Sequence, residues 1–286
     1  MTITAASNVA SLRAQTQLSR TTQKLSTVYE RLSSGLRINR ASDDPAGLSL
    51  ADSLRADSRI AAVAIRNAND GISITSIANA ALDEISNILT RLSELATQSA
   101  NGVYTNAQRS ALSSEFVALG SEIERIAVTT EFNGVKLLSG SNTVTLQVGL
   151  DGSANSRISI QAVQATLQAV GLASPGSSAL SFSIIGTTSA ASQLAAQNAL
   201  DQITLAISSL STIRGTIGAA ESRLNVAIGY LQVARENFIA AESRIRDADI
   251  AAETAELVRL QVLQQAGVAV LAQANQQPAL VRDLLE

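Results

Sequence analysis

The stretch Ile60–Ser99, IAAVAIRNANDGISITSIANAALDEISNILTRLSELATQS, decides the fold. Read at alternating steps of four and three it gives Ile60, Ala64, Asn67, Gly71, Ile74, Ala78, Ala81, Ile85, Ile88, Leu92, Leu95 and Ser99. A seam held in register over roughly five heptads predicts a coiled-coil-like rod rather than an ordinary globular helix. No proline interrupts it, and at ~1.5 Å per residue it spans about 60 Å. Such a rod needs a partner. The same steps from Leu200 give Leu200, Ile203, Ile207, Leu210, Arg214, Ile217, Glu221, Leu224, Ile228, Leu231, Arg235 and Phe238. The two stretches bracket a middle region, which predicts a mainly α chain that goes out, turns and returns antiparallel. Periodicity alone leaves open an intramolecular bundle or a rod-shaped subunit of an assembly. The chain ends decide between them.

Composition narrows the chemistry. Of 286 residues, 46% are apolar but only 2% aromatic, which favours helices packed by Ala, Ile, Leu and Val. The net charge of −3 and pI near 5.2 carry no electrostatic footprint for nucleic acid. Lys24 and Lys136 are the only lysines. The arginine bias suits forked pairing with carboxylates and equally fits a GC-rich genome. His and Cys are absent, which removes the usual metal ligands, general base and thiol nucleophile. The expectation is a protein that is not an enzyme and carries no cofactor. Met1–Asn8 lacks the basic and apolar runs of a signal peptide.

Along the chain, Thr4–Leu36 reads as a helix with sparse apolar positions at Val9, Leu12, Leu18, Leu25, Val28 and Leu32. Its Ser and Thr content makes it a helix that needs a neighbour. Gly35 ends it, and Asp44 before Pro45 is an N-cap with proline at the first helical position. Thr105 and Gln108 form a capping box for a second helix carrying Leu112, Phe116, Leu119, Ile123 and Ile126, folded back on the rod. Asn133-Gly134 predicts a hairpin between Val128–Phe132 and Val135–Leu138. Thr143–Val148, Arg157–Gln161 and Leu180–Ile185 read as further strands. Residues 130–189 thus form a small β region with a short exposed middle segment at the far end of the rods. The charged run Glu242–Ile250 is a solvated helix face or an interface network; alone it reads as solvated.

Ala251–Ala274 carries Leu257, Val258, Leu260, Val262, Leu263, Val268, Val270 and Leu271 all around a helix. A helix apolar all round is buried on all sides. Arg259 and four glutamines interrupt it, so it is not a membrane span. Burial by neighbouring copies of the same chain is the remaining solution. The ends are therefore expected to be uncovered in the monomer and to order on assembly.

At this point the residues carry a family. Leu32-Ser33-Ser34-Gly35-Leu36-Arg37-Ile38-Asn39, Ala41-Ser42-Asp43-Asp44-Pro45-Ala46-Gly47-Leu48, Gln98-Ser99-Ala100-Asn101-Gly102 and Phe132-Asn133-Gly134-Val135-Lys136-Leu137-Leu138 resemble bacterial flagellin. So do Ala241-Glu242-Ser243-Arg244-Ile245-Arg246-Asp247-Ala248-Asp249 and Leu271-Ala272-Gln273-Ala274-Asn275-Gln276. The resemblance covers nearly the whole chain in the right order; the middle is its weak region.

The resemblance implies a structural subunit that self-assembles into the extracellular flagellar filament for motility. Residues 1–44 and 246–286 would be the paired terminal helices of an inner tube, with a polymer core at Leu12, Leu18, Leu25, Leu32, Leu257, Leu260, Leu263, Val270 and Leu271. Residues 45–245 would be the rod domain, without the large outer domains of longer flagellins. Implied partners are copies of the chain, a flagellar export chaperone, and cap and junction proteins, with no nucleic acid and no membrane insertion. Export would use the flagellar secretion apparatus without a cleaved signal peptide. The contact stretch of the flagellin-sensing Toll-like receptor matches at Arg91, Glu94, Leu95 and Glu115, with Thr90 where a glutamine is common. The closing Glu286 departs from the family's usual tail. A hook–filament junction protein shares the terminal helices and is the alternative within the structural class. A secreted coiled-coil enzyme or toxin is the alternative outside it.

Overall fold

A computed structural model describes residues 8–283 of the chain, with side chains for 8–276. The elements in order are α1 (Val9–Ser34), α2 (Pro45–Ala100), α3 (Asn106–Thr129), β1 (Glu131–Phe132), β2 (Val135–Lys136), β3 (Val144–Gln147), β4 (Arg157–Ile160), α4 (Ser189–Arg246) and α5 (Ile250–Asp283). The fold is mainly α, as the periodicity predicts. Two compact units divide it: the described parts of Met1–Ser58 and Glu236–Glu286 form one, and Arg59–Arg235 the other.

In the unit Arg59–Arg235, α2 and α4 run antiparallel. Ala61 and Ala64 share a cluster with Leu231, and Asp83 pairs with Arg214 at 2.6 Å. A Cβ on Gly71 would lie 3.0 Å from Leu224 Cδ1, so the helices touch closely there. The buried row on α2 is Ala61, Ala64, Ala68, Gly71, Thr75, Ala78, Leu82 and Ile85, continuing through Leu89, Leu92, Ala96 and Ser99. This corrects the expected seam at every second position by one residue. Ile60 is exposed and Asn67 and Ala81 are half-buried, while Ile74, Ile88 and Leu95 are buried beside the true row. The reason is steric. From Ala61 to Gly71 the row is all small residues, and Leu231 and Leu224 of α4 pack against it. From Ile74 onward the middle segment, and farther along α3, add a second buried face, so the stripe widens. On α4 the buried row is likewise Ala196, Ala199, Ile203, Ala206, Leu210, Ile217, Leu224 and Leu231. Leu200, Ile207, Arg214, Glu221 and Ile228 flank it half-buried, and Arg235 is exposed.

The capping box of α3 is formed: the Thr105 amide donates to Gln108 Oε1 at 2.9 Å, and the Gln108 amide to Thr105 Oγ1 at 3.4 Å. Phe116 and Ile123 reach the common core. The Asn133-Gly134 hairpin pairs Glu131 with Lys136 and Phe132 with Val135. It is shorter than expected because Val128 still belongs to α3, which ends at Thr129. β3 and β4 pair antiparallel from Val144↔Ile160 to Gln147↔Arg157. Leu180–Ile185 is not a strand. Leu180 docks where Gly120 leaves room, and Ser183 Oγ accepts from the Ile185 amide while donating to the Ile185 carbonyl. That local turn takes up groups a strand would present to a neighbour. The middle segment lies along α2: Asn67 Nδ2 donates to the Gln147 carbonyl at 3.0 Å, and Ser99 Oγ to the Ile184 carbonyl at 2.7 Å.

In the other unit, Gly35 closes α1 in the left-handed conformation, φ 70°, where glycine pays no Cβ penalty. Asp44 Oδ1 accepts from the Gly47 amide at 2.9 Å and caps α2. The run Glu242–Ile250 corrects the solvated reading. Glu242 pairs with Arg55 at 2.8 Å, and Arg246 reaches Asp52 at 3.5 Å and donates from Nε to the Ile38 carbonyl at 3.3 Å. Its helical part ends at Arg246, and Asp249 caps α5 by accepting from the Ala251 and Ala252 amides.

Candidate functional site

α1 and α5 are a self-contained antiparallel pair. Asn8 caps α1 by accepting from the Ser11 amide, and its Nδ2 donates to the Ala274 carbonyl at 2.7 Å. Farther along, Tyr29 meets Gln261 at 3.1 Å and Arg31 pairs with Glu253 at 3.1 Å. Leu25, Val28 and Leu260 are buried between the helices, with Leu32 and Leu257 packed on them. Leu18 lies over Gly267, where a Cβ would be only 3.4 Å from Leu18 Cδ1. The expectation that nothing within the chain covers these segments is therefore corrected on one face: each helix has the other. Sequence periodicity missed this because a helix apolar all round gives no direction to its partner.

The other faces stay bare. Leu12 is 64% exposed, Val262 59% and Val270 58%, and Val9, Val258, Leu263 and Val268 are exposed with them. Leu271 is half-buried. The nine expected polymer-core residues thus divide. Leu18, Leu25, Leu32, Leu257, Leu260 and Leu271 are covered in whole or part within the chain, and Leu12, Leu263 and Val270 face outward. So long an apolar surface on a charged chain marks an interaction face. On its polar side the Arg259 guanidinium hydrogen-bonds Glu256 and holds that carboxyl below the usual range.

Where α1 and α5 join their neighbours, two connectors clasp each other. Leu36 bridges Asp247, the Arg37 amide donates to the Arg246 carbonyl at 2.6 Å, and the Ala248 amide to the Gly35 carbonyl at 3.0 Å. Asp43 steadies the same turn: its carboxylate accepts the Arg40 and Asn39 amides, which hold its pKa below the usual value.

In the unit Arg59–Arg235, Arg91, Glu94 and Glu115 come together on the surface. Arg91 Nε donates to Glu115 at 2.9 Å and NH1 to Glu94 at 2.8 Å. Leu95 does not join them. It is fully buried, because it packs in the core that α2 shares with α3 and α4, so it cannot touch a partner directly. Reading missed Arg109, which is fully buried and donates to the Asn101 carbonyl and to Ser189. Its position seven before Phe116 and fourteen before Ile123 was the available signal.

Two family models match this arrangement. The bacterial flagellin N-terminal helical region matches residues 6–143, and the bacterial flagellin C-terminal helical region matches residues 200–285. The chain belongs to the bacterial flagellin family. It is 44% identical over 257 residues to a flagellin of Halalkalibacterium halodurans, with 90% of each chain covered. It is 36% identical over 285 residues to flagellin FlaB2 of Treponema pallidum, covering 97% of this chain and 98% of that one. Among solved structures, Bacillus cereus flagellin matches 58% of this chain and 88% of its own, at 26% identity and a TM-score of 0.48. No described helix is long and apolar enough to cross a membrane.

Proposed function

We propose that the chain is a structural subunit that self-assembles into the extracellular bacterial flagellar filament. The observation that carries this is the apolar face of the α1–α5 pair left open at Leu12, Val258, Val262 and Val270. Covering it stabilises by ~25 cal/mol per Å² of apolar area removed from water, and copies of the same chain supply the cover. Residues 1–44 and 246–286 would then form the inner tube, with 45–245 as the surrounding shell and 130–189 outermost. Export by the flagellar secretion apparatus and service by an export chaperone, cap and junction proteins are part of the same proposal, on the resemblance to flagellin. The Arg91, Glu94 and Glu115 cluster is the candidate contact for a flagellin-sensing Toll-like receptor, with Leu95 shaping it from below. The flagellin relatives lend no support to the junction-protein or enzyme readings.

The test is seeded polymerisation of full-length protein carrying Val258→Ser, Val262→Ser and Val270→Ser together. Monomer helicity by circular dichroism should be unchanged, and sedimentable filaments in electron micrographs should be lost. Polymerisation equal to that of the parent would defeat the proposal.

A further inference from the structure

The chain holds four Asx-Gly pairs: Asp70-Gly71, Asn101-Gly102, Asn133-Gly134 and Asp151-Gly152. Glycine after Asn or Asp leaves the following amide nitrogen unhindered, so all four share the same local chemistry. The fold then separates them. Asp70 and Gly71 lie inside α2, where the backbone is fixed by helical hydrogen bonds. Asn101 is anchored twice, with Oδ1 accepting from the Val103 amide at 3.2 Å and its carbonyl accepting from Arg109 at 2.9 Å. Gln193 also crowds Gly102. Asp151 Oδ1 accepts from the Ser153 amide at 3.3 Å and from the hydroxyls of Ser153 and Ser156, which keep it the poorly reactive carboxylate.

Asn133 differs. Its side chain is exposed and hydrogen-bonds nothing among the described residues. It is the one non-glycine residue described with positive φ, 49°, and Gly134 follows at φ 78°. The turn is the exposed tip of a hairpin with two residues per strand, whose base is held by the Leu137 amide on the Thr130 carbonyl at 3.1 Å. We propose that Asn133 is a site of spontaneous, non-enzymatic deamidation in the folded protein.

In the reaction the Gly134 amide nitrogen attacks Asn133 Cγ, and the N–Cγ bond forms as hydroxide takes the amide proton. The Cγ–Nδ2 bond breaks, and Nδ2 gains a proton from water and leaves as ammonia. Water then opens the cyclic imide at either carbonyl, giving aspartate or isoaspartate. Aspartate places a new negative charge beside the Glu131–Lys136 ion pair. Isoaspartate lengthens the backbone by one carbon and upsets the Phe132↔Val135 register.

The test compares the two asparagines within one wild-type protein. Monomer is held at mildly alkaline pH, native or in urea, and peptide mapping follows the acid and isoaspartyl forms at Asn133 and Asn101. Each hydrogen bond that must first open slows reaction about fivefold, and Asn101 has two, so native protein should convert Asn133 at least about ten times faster than Asn101. In urea the two rates should converge. An Asn133→Gln chain, whose longer side chain closes the ring poorly, should lose the signal at that peptide. Native rates that are equal, or a ratio that urea leaves unchanged, would overturn the assignment.

Discussion

Glycines on the two long helices show how far one residue's environment sets its effect. Gly71 is buried, and a Cβ there would collide with Leu146 and press on Leu224. Gly215, Gly218 and Gly229 lie on α4 with open space where a Cβ would be. Gly71→Ala should therefore destabilise the monomer by up to ~2 kcal/mol, overpacking of ~1–3 kcal/mol outweighing a helix-propensity gain of ~1 kcal/mol. Gly218→Ala should stabilise it by up to ~0.8–1 kcal/mol through helix propensity. Thermal melts of the two variants check both signs; a Gly71→Ala protein as stable as the parent would mean that Leu146 and Leu224 do not close over Gly71 as described. Both glycines read alike in sequence, since only the neighbours Leu146 and Leu224 distinguish them.

At the scale of elements, the α1–α5 pair separates residues that hold a helix from residues that offer a face. Leu260 is buried against Leu25 and Val28, whereas Val262 two positions on is exposed. Leu260→Ala should cost ~2–5 kcal/mol of local stability, since a buried leucine loses both transfer energy and packing. Hydrogen exchange in monomer should then rise across both α1 and α5 while amides of α3 keep their protection. Exchange confined to α5 would show that the helices do not support one another. The caps Asp44, Thr105 with Gln108, and Gly35 were legible from residue types alone; Asn8 was not, because Thr4–Leu36 reads as one helix and the structure starts α1 at Val9. The clasp of Leu36 with Asp247 was not, because the sequence separation hides it.

For the molecule as a whole, acid is the informative variable. Asp43, Glu122, Asp151 and Glu256 all have carboxyl pKa values held below their ordinary ones by hydrogen bonds in the folded state. A depressed folded pKa means that the contribution is present above the unfolded value and lost as pH falls through the folded one. The ordinary values are 3.8 for Asp and 4.5 for Glu, so monomer stability should be flat near neutrality and decline from about pH 4.5 downward. Urea titrations across that range read it. Asp43→Asn should flatten part of the slope, and a slope unchanged by that variant would remove the Asn39–Asp43 turn from the account.

The sequence by itself determined the long helices, their antiparallel return, the caps, the Asn133-Gly134 hairpin and the need of the terminal segments for company. These follow from local rules: heptad spacing, capping chemistry, turn residues and an apolar excess that water does not tolerate. Tertiary structure decided the register of the seam, the partner of each terminal helix and the fate of the charged run Glu242–Arg246. Ile60 and Ala61 differ by one step of 100° on a helix, and only the close approach of Leu231 and Leu224 places the small residue inward. Leu95 is a contact residue by motif and a core residue by packing, because α3 and the middle segment close over the face that periodicity alone left open.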